Sequence, residues 1–131
     1  MKTSKTHSKP TDAEMKVLNL LWERGPLTVR QVHEHLTAEK PLQYTTVLKG
    51  MQVMTSKGLL QRDDSERSHV FRPTVGREQV QRQFAGHLLK MAFGGSTGSL
   101  LMGTLEAQPA SKKELAELRR ILDEYEKGRK R

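Results

Sequence analysis

The sequence predicts a mainly α-helical protein with one small β-hairpin, and three observations carry that prediction. Apolar residues recur at three- and four-residue spacings through most of the chain, and helix-start signals such as Thr11 with Glu14 stand at the heads of those runs. A single pair of short apolar runs brackets a polar turn at 63–68. The pattern divides the chain into a helix-and-hairpin domain at 11–74 and a purely helical domain at 75–131 that ends in a basic tail. A flexible basic arm at 1–10 precedes both.

Thr11 and Glu14 have the spacing of a capping box, in which the hydroxyl accepts from the amide three residues on and the carboxylate reaches back to the cap amide. A helix is therefore predicted over about 12–24, with Met15, Leu18, Leu21 and Trp22 on one face and Gly25-Pro26 as its stop. Thr28 is an N-cap for a short second helix. Its Val29, Val32 and Leu36 line one side, while Arg30, Gln31 and Glu34 point outward. Pro41 disfavours helical geometry at Lys40, so the chain turns there and a third helix begins near Gln43. Val47, Met51 and Met54 form its core face, Thr45, Lys49, Gln52 and Ser56 the opposite one, and Gly58 ends it. Residues 59–62 and 69–72 are predicted strands, and Pro73 and Gly76 close the unit at about 74.

Beyond it, Val80, Phe84, Leu88 and Met91 step by four, four and three along a helix predicted over about 76–93, which Gly94-Gly95 stops. Ser96 or Thr97 caps a short helix holding Leu100, Leu101, Met102 and Leu105, and Pro109 ends it. Ser111 and Glu114 make a second capping box, after which Leu115, Leu118, Leu122 and Tyr125 repeat as a heptad-like seam. Helices this short do not stand alone in water, so their apolar faces need a partner. A second copy of the chain is the economical one. The expected homodimer contacts are Phe84, Leu88, Met91, Leu101, Leu105, Leu115, Leu118, Leu122 and Tyr125.

The net charge of +8 comes from 23 Lys and Arg against 15 Asp and Glu. Three Lys lie in residues 1–10 and four Lys or Arg in 127–131, neither segment having an acid. The remaining 16 basic residues face 15 acidic ones across 11–126. Such tails attract phosphate whatever its sequence, and they are equally common as solubilising ends, so charge alone decides little. No apolar run approaches the roughly 20 residues that span a bilayer, and the N-terminus lacks the apolar middle of a secretory signal. A cytoplasmic protein without membrane contact is expected. The chain has no cysteine, which excludes disulfides, thiolate metal sites and thiol catalysis.

A short helix, a turn, a longer helix and a hairpin make the order of a winged helix-turn-helix, and that order points to double-stranded DNA. A helix fits the major groove, where N-terminal residues of the recognition helix reach base edges. Gln43, Tyr44, Thr45, Thr46 and Lys49 occupy that place, with Gln52 further along the polar face and Arg30 on the preceding helix. Gln pairs with adenine, Thr methyls meet thymine methyls, and Lys reaches guanine acceptors or phosphate. In the wing, Arg67 and Ser68 are candidates for backbone phosphate, although Asp63, Asp64 and Glu66 beside them are unfavourable there. The competing reading of the third helix is an ordinary amphipathic helix with a solvated polar face. A winged-helix module that binds protein instead of specific DNA stays open as well, as does a nonspecific DNA-coating protein.

Other chemistry finds little support. His33 and His35 lie two apart on a helix, hence on roughly opposite faces, and do not share a metal. His69 with Asp63 and Asp64 has the donors of a carboxylate-imidazole site, but polar hairpin residues explain them without metal. Glu14, Glu34 and Glu39 show no pairing for acid-base catalysis, and neither a nucleophile motif nor a Gly-rich phosphate loop appears. No enzyme activity, cofactor or metal is expected.

The segments AEMKVLNLLWERGPLTVRQVHEHL, YTTVLKGMQVMTSKGLL, FRPTVGREQ, FGGSTGSLL and KKELAELRRIL resemble the penicillinase repressor family, the BlaI/MecI/CopY group of bacterial transcriptional repressors. The likeness covers nearly everything from Thr11 to Tyr125, with LWERGPLTVRQV and YTTV the most specific pieces. It implies a homodimer with two winged-helix heads joined through C-terminal helices, binding a pseudo-palindromic operator and blocking transcription. The start of the third helix would read that operator, which places Gln43, Thr45, Thr46 and Lys49 at the bases. Relatives often carry Arg or a second Thr along this face where this chain has Leu48, Lys49 and Val53, so its base preference is expected to differ. In antibiotic-sensing members a membrane receptor senses a β-lactam and the repressor is cut in its C-terminal helical region. The resemblance puts that bond at about Gly103-Thr104, although the Asn-Phe pair of the best-known members is absent. Copper-responsive members use C-terminal cysteines, which this chain lacks.

Overall fold

The computed structural model describes residues 9–65 and 67–129. Most of the basic arm expected at 1–10, the turn acid Glu66, and Lys130 and Arg131 of the basic tail lie outside the described residues. The elements run α1 (Asp12–Arg24), α2 (Val29–Thr37), α3 (Tyr44–Ser56), β1 (Leu60–Asp63), β2 (Val70–Pro73), α4 (Arg77–Phe93), α5 (Thr97–Ala107) and α6 (Lys112–Arg129).

Local hydrogen bonding explains where the helices start. The Thr11 amide donates to Glu14 Oε1 at 3.0 Å and the Glu14 amide donates to Thr11 Oγ1 at 3.2 Å. Thr28 and Gln31 repeat the device at α2, at 2.9 and 3.1 Å, so Gln31, exposed on the outer side as expected, also turns its amide oxygen back onto the cap. Ser111 and Glu114 repeat it at α6, and of the two candidates before α5, Ser96 is the cap. After α1 and α3 the chain reverses at Gly25 and Gly58, whose φ of +86° and +87° would strain any residue carrying a β-carbon.

The core of the first unit gathers Leu18 and Leu21 from α1, Val32 from α2 and Met51 and Met54 from α3, all essentially without solvent contact. Val17, Leu27, Val29, Val47, Leu59, Leu60 and Phe71 complete it. The two strands pair antiparallel with Leu60 opposite Pro73, Gln61 opposite Arg72, Arg62 opposite Phe71 and Asp63 opposite Val70. Both start one residue later than the periodicity suggests. The Leu59 amide is taken by the Met54 carbonyl at 2.9 Å, finishing α3, so the ladder opens at Leu60. A further bridge joins Leu27 to Phe71, with Phe71 N–H donating to the Leu27 carbonyl at 2.8 Å. The sequence offers no sign of it, because a single paired residue has no periodicity.

The chain separates into two compact units between Ala85 and Gly86, within α4 and later than the boundary expected at 74. The indole N–H of Trp22 donates to the Val75 carbonyl at 3.1 Å, the Arg77 guanidinium lies over the Trp22 ring, and Val80 is 2% exposed. The first turns of α4 thus belong to the winged unit. In the second unit, no residue of α5 or α6 is buried.

Candidate nucleic-acid interface

The third helix is held at both ends. At its start, His33 Nε2 lies 2.7 Å from the Leu42 carbonyl, the last turn residue before Gln43. A carbonyl only accepts, so Nε2 carries the proton. The same imidazole meets the Tyr44 ring edge-on, centroids 5.7 Å apart and planes at 78°. One histidine therefore sets both the turn and the first residue of α3. At the other end, Lys57 Nζ reaches Glu14 Oε2 at 2.7 Å. Burial pushes the Glu14 carboxyl up, but the hydrogen bond from Lys57, the Thr11 amide, the Lys57 charge and the Thr11 hydroxyl together outweigh it and hold the carboxyl below its usual value. The sequence pattern at Thr11 and Glu14 predicts the cap but not the bond to Lys57. A signal for its burial was present, since Glu14 precedes Leu18 and Leu21 at four and seven residues and so shares their face.

With the core side of α3 anchored through Val47, Met51 and Met54, the candidate residues Gln43, Tyr44, Thr45, Thr46, Lys49 and Gln52 are all exposed. Gln43 is the N-cap, and its side chain makes no cap hydrogen bond. The first turn carries no acid, so the helix presents its amides and the positive end of its dipole without a resident counter-charge. These residues do not share one stripe. Tyr44 and Gln52, with Leu48 and Thr55, line a groove of about 780 Å³ between α3, the start of α2 and the hairpin. Thr46 faces the other flank, an apolar hollow of about 300 Å³ shared with Gly50, Val53 and residues of α1. Neither hollow takes in Thr45 or Lys49.

Arg30 and Ser68 line the larger groove, as do Arg62 and His69, which no local sequence pattern marks for DNA. Arg67 is exposed but is not among the described residues lining it. The described hairpin acids, Asp63 and Asp64, are matched to bases. Asp63 pairs with Arg72 at 3.0 Å, and its carboxyl is held low chiefly by the Ser65 amide and hydroxyl, which outweigh the opposing effect of burial, with the charge and hydrogen bond of Arg72 adding to the lowering. Asp64 pairs with Arg62 and His69, each at 2.8 Å. Among the described residues no group of three or more His, Asp or Glu is placed to hold a metal.

The residues expected at the dimer contact divide between the units. Phe84 belongs to the winged unit, where the Lys9 ammonium lies 4.8 Å from its ring centroid. Leu88, Met91, Leu101, Leu122 and Tyr125 are exposed in the second unit, and Leu105, Leu115 and Leu118 are half-buried there. Gly103 and Thr104 lie inside α5, Thr104 accepting from Gln108 N–H at 3.0 Å and donating its hydroxyl to Leu100 at 2.8 Å. No helix among the described residues is long and apolar enough to cross a membrane.

A three-helix core with a hairpin closing beside an exposed polar helix defines a winged-helix protein. Within that class, the family model described as penicillinase repressor matches residues 10–124, and the chain belongs to that family. It is 37% identical over 119 residues to the transcriptional regulator BlaI of Mycobacterium tuberculosis, covering 89% of this chain and 85% of that protein. It is 22% identical over 120 residues to the penicillinase repressor of Bacillus licheniformis, covering 92% and 94% of the two chains. The solution structure of the DNA binding domain of the repressor BlaI superposes with a TM-score of 0.50 at 21% identity, over 59% of this chain and 90% of that one, which supports the winged-helix fold.

Proposed function

We propose that the chain is a transcriptional repressor that binds a pseudo-palindromic duplex operator as a homodimer. The observation that carries this reading is the outer face of α3. Val47, Met51 and Met54 anchor the helix in the core, Gln43, Thr45, Thr46, Lys49 and Gln52 are exposed, and its first turn is free of acids beside a groove lined by Arg30, Arg62 and Asp64. Membership of a family whose relatives are named as repressors supports the same reading. Gln43, Tyr44, Thr45, Thr46, Lys49 and Gln52 contact the operator, with Arg30 and Ser68 at the groove and Arg67 at the hairpin tip. The winged unit reads DNA, the basic arm and tail add sequence-independent attraction, and the helices after Ala85 bring the second copy. The exposed Met91, Leu122 and Tyr125 favour such a contact. Relief by a sensor protease belongs to this reading. Cleavage near Gly103 and Thr104 would sever α6 from the rest, after local opening of α5.

Selection of duplexes from a random library with the full chain tests the proposal. The expected product is an inverted repeat with half-sites about one or two helical turns apart. No enriched repeat, or no duplex binding at all, would overturn it in favour of nonspecific coating or a protein-binding module.

A further inference from the structure

Directly opposed residues of an antiparallel ladder project to the same side. Arg62 stands opposite the buried Phe71 and two residues from the buried Leu60, so it emerges on the core side of the hairpin and reaches the groove with Tyr44 and Gln52. Arg72, opposite Gln61, belongs to the other side and pairs with Asp63. Of the hairpin's described basic residues, Arg62 is thus the arginine turned toward the recognition helix.

Its guanidinium is already engaged. Nε lies 2.8 Å from Asp64 Oδ1 and a terminal nitrogen 3.1 Å from Oδ2, a two-pronged grip on a carboxylate. Oδ1 also lies 2.8 Å from His69 Nδ1. Both partners of the Arg62–Asp64 pair are 51% exposed, so water competes for each and the pair is weakly held. The fork that fits a carboxylate fits a phosphodiester equally well.

We propose that Arg62 is the wing's ligand for a DNA backbone phosphate and that Asp64 is its resident counter-ion, left on His69 when the phosphate takes the guanidinium. The proposal rests on the DNA-binding reading above and names a contact within it. Two features of the hairpin then make sense together. The acids beside the wing do not merely repel DNA, because Asp64 has an alternative partner in His69. The groove also places the arginine where a seated α3 delivers a phosphate, while Asp64 competes for it against any other. Asp64 thereby taxes weak, unseated encounters more than seated ones.

The test uses the full chain and the duplex selected by the wild-type protein, with dissociation constants measured across a range of KCl concentrations. Arg62→Ala should weaken binding about five- to tenfold and reduce the salt slope by about one, as for loss of one phosphate contact. Asp64→Asn should tighten binding about three- to fivefold, and in the Arg62→Ala background that gain should nearly vanish, since the two act through one contact. Arg72→Ala, on the other side of the hairpin, should leave the slope unchanged. An equal gain from Asp64→Asn with and without Arg62 would overturn the proposal, because Asp64 would then act only by its charge on the duplex. Equal losses from Arg62→Ala and Arg72→Ala would also overturn it. Normal wild-type binding with an unaltered Arg62→Ala refutes this contact alone, whereas failure of the wild type to select any duplex refutes the DNA-binding reading itself.

Discussion

Lys57 Nζ lies 2.7 Å from Glu14 Oε2, joining the capping box that begins α1 to the residue that follows α3. The carboxylate is the more enclosed partner, its side chain 11% exposed against 36% for the lysine. Its two oxygens are divided between tasks, Oε1 accepting from the Thr11 amide and Oε2 from Lys57. A single side chain thus starts one helix and fixes the far end of another.

Glu14→Ala removes both bonds and should destabilise the protein by about 1 to 2 kcal/mol. Glu14→Gln keeps an oxygen for the Thr11 amide but loses the charge opposite Lys57, and should cost less. Urea denaturation of the three proteins checks the order, and equal midpoints would show that the pair contributes nothing.

The same carboxyl predicts a pH dependence. Because its folded value lies below the usual 4.5, the folded state favours the charged form. The stability it contributes is therefore complete above the unfolded value and is lost as pH falls through the folded one. The stability gap between wild type and Glu14→Gln should be flat near neutrality and shrink on acidification below 4.5. A gap that widened in acid would reverse the sign.

His33→Ala leaves the Leu42 carbonyl with only the longer bond from the Thr37 hydroxyl, at 3.5 Å, and the Tyr44 ring without its edge contact. The expected loss of stability is about 1 kcal/mol, with weaker binding to the selected duplex because α3 starts from a looser turn. His33→Gln can still donate and should recover part of both. Duplex affinity that stayed at the wild-type value would separate the turn from recognition.

Lys49 is exposed on the outer face of α3. Lys49→Ala should weaken operator binding by about 1 to 3 kcal/mol and relax preference at one half-site position. Repeating the selection with the variant measures both, and an unchanged motif would move Lys49 from base reading to phosphate.

A chain ending at Ala85 should fold and sediment as a monomer, since it keeps Val80 in the winged unit and loses the exposed apolar residues of the second. A chain ending at residue 75 should be less stable than the Ala85 form, because it discards Val80. A dimeric Ala85 form would place the self-contact in the winged unit instead.

Much of the fold was legible because its signals are short-ranged. Capping at Thr11 and Ser111, the stops at Gly25 and Gly58, and the core face of Val47, Met51 and Met54 all follow from residues three or four apart. The polar face of α3 came with its core face, since one implies the other on a helix. The strands slipped by one residue because α3 uses the Leu59 amide, a competition that alternation of side chains does not register.

The sequence by itself determined the order of elements, the residues that begin and end the helices, and the face of α3 turned outward, since each depends on local hydrogen bonds or on periodicity. Tertiary structure alone decided that Glu14 meets Lys57 across 43 residues, that the start of α4 closes on Trp22, and that Arg62 rather than Arg67 reaches the groove beside Gln52. Those outcomes depend on how elements pack in space, where strand register and crossing geometry choose among many pairings that the local pattern permits equally.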